Sequence, residues 1–436
     1  MDSKQINMNR RTFLRSTIIG AAGLSLLPAY ACKRKEVETI RLGFIGLGRQ
    51  ANYLVDSFLK LDPGVRVVAG ADVYAVKRER FLKKSLDYYN SIDEDIPVTA
   101  YENYRDLLAR QDIDAVIIAS PDHWHARMAI DACEAGKDIY LEKPLTLTIK
   151  EGQELVKAVR QNNIILAVGS QQRSDPNFQH AVKLVQDGKL GKIEKVEVFL
   201  GEERPHPVPY DMPEQPLPDG LNWEKWIGPA PFVHYNEVLN PPISLDPPQD
   251  EQFWGAWRWY RELGGGLMTD WGAHMMDIAQ WGLGLDRSGP VKVIPGDYED
   301  QKYLTYIYAN GIPLQHVDFN NGQQGVKFYG ENAWIEVGRG HFVASDESLY
   351  RVVEDSDVPY EGRAAHHMNF VECLRTREEP AANVEIGHAI CTACTLGNIA
   401  AELNRPVEWD PDTQTFVNDD EASAFLHRNY EHGYTL

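Results

Sequence analysis

The stretch Thr39-Ile40-Arg41-Leu42-Gly43-Phe44-Ile45-Gly46-Leu47-Gly48-Arg49-Gln50-Ala51 decides how the rest of the chain is read. Its first half is a short apolar run of the kind that forms a buried strand, and residues 52–61 continue as an amphipathic helix. The joint between them has the spacing that a bound pyrophosphate demands. Gly46 permits a tight turn, Gly48 lets backbone N–H groups approach an anion, and the small Ala51 lets the helix pack closely on the strand. Gly46, Leu47, Gly48, Arg49 and Gln50 are therefore candidate cofactor-binding residues. The next apolar run, residues 65–71, ends in Asp72, which falls 26 residues after Gly46. An acid there accepts hydrogen bonds from adenosine ribose hydroxyls and repels a 2′-phosphate, which favours NAD over NADP. Lys77 and Arg78 follow closely and keep NADP open, and a strand-end aspartate can also cap a helix.

Outward from this point the alternation continues. Residues 103–110 read as a helix, 115–119 as a fully apolar strand, 125–135 as a helix and 138–141 as another strand. Helices alternating with apolar strands mean a doubly wound parallel sheet, whose ligands bind at the carboxyl ends of its strands. That rule places the glycine loop, Asp72, Ser120-Pro121-Asp122 and Glu142-Lys143 on one rim. His123-x-His125 could suggest a metal, but no Cys or acid stands at ligand spacing, so capping and cofactor packing are the better reading. Residues 164–170 read as the last strand of this half and lead into Gln171-Gln172-Arg173.

The second half differs in composition. Residues 192–200 alternate cleanly as a strand, but twelve of the 25 prolines then fall between Arg204 and Asp250, around the tryptophans Trp223 and Trp226. Tryptophan marks this as ordered loop, since a disordered linker would lack it. Phe253-Trp254-x-x-Trp257-x-Trp259-Tyr260 could wall a carbohydrate site through ring stacking, or could simply be core. In Asp270-Trp271-Gly272-Ala273-His274, Asp270 and His274 stand four apart and would share a helix face, with Asp277 three further on. Residues 291–345 alternate with turn signals as further strands, and 366–376 and 387–403 read as closing helices. Cys391-x-x-Cys394 lies in the latter, where helix packing explains it better than redox chemistry; Arg363, His366 and His367 could reach the site.

In combination and in this order, the Gly46–Ala51 loop, Ser120-Pro121-Asp122-His123-Trp124-His125, Leu141-Glu142-Lys143-Pro144 and Gly264-Gly265-Gly266 leading to Asp270-x-x-x-His274 resemble the Gfo/Idh/MocA oxidoreductases, the glucose–fructose oxidoreductase and inositol dehydrogenase group. The resemblance covers residues 39–410. It implies an α/β chain: a Rossmann domain at 32–170, then an α+β domain at 171–410 on an open, mostly antiparallel sheet through which such proteins form homo-oligomers, and a tail at 411–436. It also implies NAD (or NADP) as cofactor, with Gln172 joining the cofactor loop, and Arg173 and Trp257 facing substrate. Lys143, Asp270 and His274 become the catalytic set: His274 as acid/base, Asp270 as its partner or a substrate ligand, and Lys143 as a cation polarising the substrate oxygen. Arg173 could instead pair with an acid.

The amino terminus reads as a leader. Asn9-Arg10-Arg11-Thr12-Phe13-Leu14 precedes an apolar run at 18–27, as in a twin-arginine signal, and Ala29-Tyr30-Ala31 is a small-x-small cleavage site before Cys32. Cleavage there leaves either a released periplasmic protein or a lipid anchor on Cys32. A formal charge of -20 excludes nucleic acid and anionic membranes as partners, since both need a basic face. Outside the cytoplasm free nicotinamide is scarce, so a tightly held cofactor is expected. The activity is then either oxidation and reduction of a sugar, glycoside or polyol hydroxyl, or glycoside cleavage through transient oxidation of a ring hydroxyl. The non-enzymatic reading is a surface protein that binds NAD or sugar.

Overall fold

β1 (Ile40–Ile45) is buried at all but one position, as expected of a strand covered on both faces. The computed structural model to which it belongs describes residues 39–62, 64–201, 205–248, 251, 253–350 and 362–436; the expected leader and Cys32 lie outside them. After β1 come α1 (Arg49–Leu61), β2 (Val65–Ala71), α2 (Ala75–Ser91), β3 (Thr99–Tyr101), α3 (Tyr104–Leu108), β4 (Ala115–Ile118), α4 (Asp122–Glu134), β5 (Asp138–Leu141), α5 (Ile149–Gln161) and β6 (Leu166–Val168). The six strands pair in the order β3-β2-β1-β4-β5-β6, all parallel, so every carboxyl end opens on one rim. The strand order reverses beside β1, which is where such a sheet opens a crevice for a ligand.

The chain then crosses through α6 (Pro176–Gln186) to β7 (Ile193–Phe199), α7 (Trp223–Ile227), α8 (Gly266–Asp270) and α9 (Gly272–Gly282). β8 (Lys292–Ile294), β9 (Thr305–Ile307), β10 (Pro313–His316), β11 (Gly325–Gly330), β12 (Trp334–Gly338) and β13 (His341–Ala344) follow, then α10 (Gly362–Thr376), α11 (Val384–Leu403), β14 (Val407–Asp410), β15 (Thr415–Phe416) and α12 (Asp420–Ser423). The second sheet runs β13-β12-β11-β7-β10-β9-β8-β14-β15. β7 and β10 are parallel and the other pairs antiparallel, so the expected mostly antiparallel sheet is present. α6, α9 and α11 share a core with its strands.

Two features depart from the sequence reading. The expected closing helices begin earlier, at Gly362 and Val384, and serve the first domain as well. Phe370, Val371 and Cys373 of α10 lie in one core with β1 and α1, and Ala382, Val384 and Cys391 lie in another with β4, β5 and α5. The stretch beyond 410, expected as a tail, supplies β15, and Tyr434 and Leu436 pack back against the first-domain core. The proline-rich region has its own small core of Trp223, Trp226, Ile227, Tyr235, Leu239 and Leu263, into which Tyr74 of the first domain inserts. Trp223 and Trp226 stack at 4.5 Å.

Candidate active site

The carboxyl ends of β1, β2, β4 and β5 open into a cleft of about 900 Å³ that α8, α9 and the aromatic loop cover from the second domain. Gly46 turns the chain at φ +79°, and a Cβ there would stand 2.7 Å from the Ser120 nitrogen, so only glycine fits. A Cβ on Gly48 would meet nothing within 4 Å, and Gly48 caps α1 with no side-chain bond. The first-turn N–H groups of α1 therefore face open space at the positive end of the helix, which fits a pyrophosphate. Asp72 accepts from Leu47 N at 2.7 Å and from Tyr74 N at 2.9 Å, tying the end of β2 to the glycine loop. Arg78 donates to the Asp72 carbonyl and Lys77 to Asn240, so both cations that kept NADP open are engaged within the protein.

Arg49, Gln50, Ser120, Pro121 and Asp122 line the same cleft as Gly46, Gly48 and Asp72. Leu47 does not; its buried side chain joins the core below and its N–H serves Asp72. Gln50 Nε2 donates to Glu142 Oε1 at 2.8 Å, which ties the glycine loop to the end of β5. Burial raises the Glu142 carboxyl above its usual range. Its space depends on Gly169, where a Cβ would stand 2.9 Å from the carboxyl carbon.

Lys143 follows Glu142, and the Lys143–Pro144 peptide bond is cis. Its ammonium pairs with the Asp270 carboxylate, contributed 127 residues later by α8. Burial opposes the ionised form of Asp270, but Lys143 and Arg258 outweigh it and hold the carboxyl below its usual value. The Asp270–His274 helix breaks at Trp271 between α8 and α9, and the hydrogen-bonding partner of Asp270 is Lys143 rather than His274. His274 lines the cleft, and its Nδ1 is buried without a partner. Burial, with Arg339, Lys143 and Arg363 adding to it, holds this imidazole well below its ordinary pKa, so it is neutral. Asp122 is pushed up to about 7 by burial, against the pull of Arg258 and Lys143.

Besides Leu47, four sequence-derived residues stay off the cleft, namely Arg173, Gln172, His366 and His367. Arg173 does not line the cleft. It donates to Asp277 at 2.6 and 2.8 Å and to Asp286 at 2.6 Å, so the acid-pairing alternative is the observed one, and Asp277 is spent on it. Gln172 is buried behind the cleft and accepts from Arg339 Nε at 3.2 Å; its neighbour Gln171 lines the cleft and reaches Glu142. His125 reaches the cleft wall, but its nitrogens face the carbonyls of Pro144 (2.7 Å) and Ser120 (2.9 Å), so it braces the Lys143 turn. His366 and His367 are buried, facing the Val168 carbonyl and the Ser57 hydroxyl. His123 faces the Trp226 carbonyl, and no metal-holding group of three or more His, Cys, Asp or Glu exists among the described residues. Cys391 donates to the Thr146 carbonyl and Cys394 is buried, both as free thiols.

Trp257 does wall the cleft, together with residues that sequence reasoning missed. Arg258 lies 4.2 Å from the Trp254 ring centroid and 4.3 Å from that of Trp257, with Arg49 on Trp254 at 5.3 Å. A cation set between tryptophans was the available signal for Arg258. Arg339 and Tyr434 also line the cleft, and no local pattern marks either.

Comparison with known proteins agrees with this geometry. Residues 40–170 match the Gfo/Idh/MocA description "oxidoreductase family, NAD-binding Rossmann fold", and residues 179–436 match "oxidoreductase family, C-terminal alpha/beta domain". The scyllo-inositol 2-dehydrogenase (NAD(+)) of Bacillus subtilis is 30% identical over 380 residues, covering 80% of this chain and 92% of that protein. A glycosyl hydrolase family 109 protein of Shewanella pealeana is 36% identical over 172 residues, but these are only 35% of this chain and 37% of that protein. The aldose-aldose oxidoreductase of Caulobacter crescentus has the same fold, with a TM-score of 0.59 at 18% identity over 85% of this chain and 99% of that one. On matches that span both domains, the chain belongs to the Gfo/Idh/MocA oxidoreductase family and is an NAD-dependent enzyme.

Proposed function

We propose that the protein oxidises and reduces a secondary hydroxyl of a sugar, glycoside or polyol, using an NAD that it holds tightly. The observation that carries this reading is the Lys143–Asp270 pair beside a neutral His274, all in the cleft onto which the glycine loop opens. Gly46, Gly48 and the α1 terminus would hold the pyrophosphate, and Asp72 the adenosine ribose. Bound NAD supplies the hydride acceptor. On the protein side, a neutral His274 is free to accept the hydroxyl proton at a ring nitrogen. Lys143 sets positive charge at the substrate oxygen and stabilises the alkoxide that forms as the proton leaves. Asp270, kept ionised by its two cations, can accept from a second substrate hydroxyl and fix the ring.

A relative that is an inositol dehydrogenase supports the polyol and sugar class of substrate. The partial likeness to glycosyl hydrolase family 109 favours a second reading, in which a ring hydroxyl is oxidised transiently, the aglycone is eliminated and the hydride returns. The reading also includes export by the leader at 1–31, retention at a membrane through a lipid on Cys32, and homo-oligomers formed through the second-domain sheet. One incubation separates the two readings. Purified protein is mixed with free sugars, polyols and aryl glycosides, and keto-sugar and released aglycone are both followed. Keto-product alone supports the oxidoreductase, released aglycone supports glycoside cleavage, and neither product overturns both.

A further inference from the structure

The order of the first sheet gives the cleft a direction. β2 and β3 lie towards one edge and β5 and β6 at the other. Asp72 after β2 therefore marks the adenosine half, and Lys143 after β5 the reacting half. Beyond Asp72 the wall is made by Tyr104 at the start of α3, Trp124 and Met128 on α4, and Tyr434 from the far end of the sequence. The rings form a connected set. Tyr104 meets Trp124 edge-on at 5.7 Å, Trp124 meets Tyr434 edge-on at 5.3 Å, and the Arg105 guanidinium lies 5.0 Å from the Tyr104 centroid and 5.8 Å from that of Tyr434.

Tyr434 is clamped in this position on both sides. Before it, Tyr430 donates from its hydroxyl to Glu151 at 2.9 Å, and Glu431 N donates to the Pro229 carbonyl at 3.1 Å. After it, Arg127 donates to the Thr435 carbonyl at 3.0 Å, and Leu436 packs against the first-domain core. A segment held at four points is a fixed wall. What it walls is the place where an adenine must lie if the ribose is at Asp72. A purine needs flat, apolar and aromatic surfaces on its faces and edge, which this set of rings provides.

We propose that residues 430–436 complete the adenine subsite of the NAD site, with Tyr434 as a cofactor-binding residue. The inference concerns the cofactor alone, so it stands or falls independently of which sugar the enzyme uses.

The test is calorimetric binding of NAD, AMP and nicotinamide mononucleotide to the full chain, stripped of cofactor, as wild type and as Tyr434→Ala and Tyr434→Phe. Tyr434→Ala should weaken AMP and NAD about tenfold, the scale of one aromatic contact. It should leave nicotinamide mononucleotide unchanged, and Tyr434→Phe should restore AMP binding. Should the alanine variant not fold, Tyr434→Leu keeps volume against Trp124 while removing the ring, and the same loss of AMP is expected. AMP binding within twofold of wild type in the alanine or leucine variant overturns the proposal. So does an equal loss of AMP and nicotinamide mononucleotide, which would mean that Tyr434 only supports the cleft as a whole.

Discussion

The two ends of the cleft are built from different materials. At the reacting end charge is concentrated and buried: Lys143 against Asp270, Arg258 at 3.6 Å from the same carboxylate, and a neutral His274 among them. The adenosine end is lined by rings, with Arg105 resting on two of them. Chemistry that moves a proton needs charges fixed before the reaction, in a site where water does not screen them. Holding a flat base needs only shape and apolar area. The difference predicts that substitutions at the first end change rate and at the second change affinity.

The sharpest way to break that contrast is His274→Asn. Turnover should fall by about 10²–10⁴, the range for a lost acid/base group. Calorimetry should find NAD bound as before; retained turnover would remove His274 from the chemistry. Arg173→Ala tests whether the reacting end rests on paired charge behind it. The variant leaves Asp277 buried without its partner, and chemical denaturation should register a loss of about 3–5 kcal/mol. If Arg173 touched substrate instead, stability would hold and KM would rise. Lys143→Ala should lower kcat by about 10²–10³ while NAD still binds; an effect confined to KM would mean that the ammonium only holds substrate.

Acidity gives a finer test. His123 and His367 are pushed down to about 3 by burial, and His125 and His366 to about 4. The unfolded chain takes up their protons below pH 6.5 while the fold refuses them, so this stability is complete above 6.5 and falls with acidification. Asp122 acts oppositely. Its folded value of about 7 lies above its unfolded 3.8, so its contribution falls as pH rises through that interval. Melting temperature should therefore drop as pH falls from 6.5, and more steeply in Asp122→Asn; a flat wild-type profile would contradict the histidine assignment, and an unchanged slope in the variant the Asp122 assignment. The smallest effect is expected from Trp254→Ala, which removes a 42%-exposed ring beside Arg258 and should raise KM only a few-fold. A large loss of kcat there would mean that the ring holds Arg258 in place for the chemistry.

The elements readable in the sequence are those whose cause is local. The glycine loop, Asp72 at a strand end and Glu142-Lys143-Pro144 after β5 each follow from a turn or a strand and its immediate successor. Asp270 and His274 were legible by helical spacing even though Trp271 interrupts the helix. Arg173 could not be resolved this way, because its partner Asp277 stands 104 residues on, in another domain. Gln171 and Gln172 differ by one position in a short turn, and which side chain enters the cleft is set by packing against His274 and Met275. Arg339 and Tyr434 come from segments whose own patterns concern strand pairing and coil. Only the assembled molecule brings them to the rim.

The two late helices set an order of events during synthesis. Phe370 and Val371 cover β1 and α1, and the backbone of Val168 in β6 bonds to Ala382 and His366. A nascent chain that has released only its first 170 residues has every strand of the dinucleotide sheet and the helices α1 to α5, but lacks the part of the apolar lining that α10 and α11 add to each face. That half stays incomplete on the ribosome until residues 362–403 emerge. The packing of the dinucleotide half is therefore completed only by a nearly finished chain.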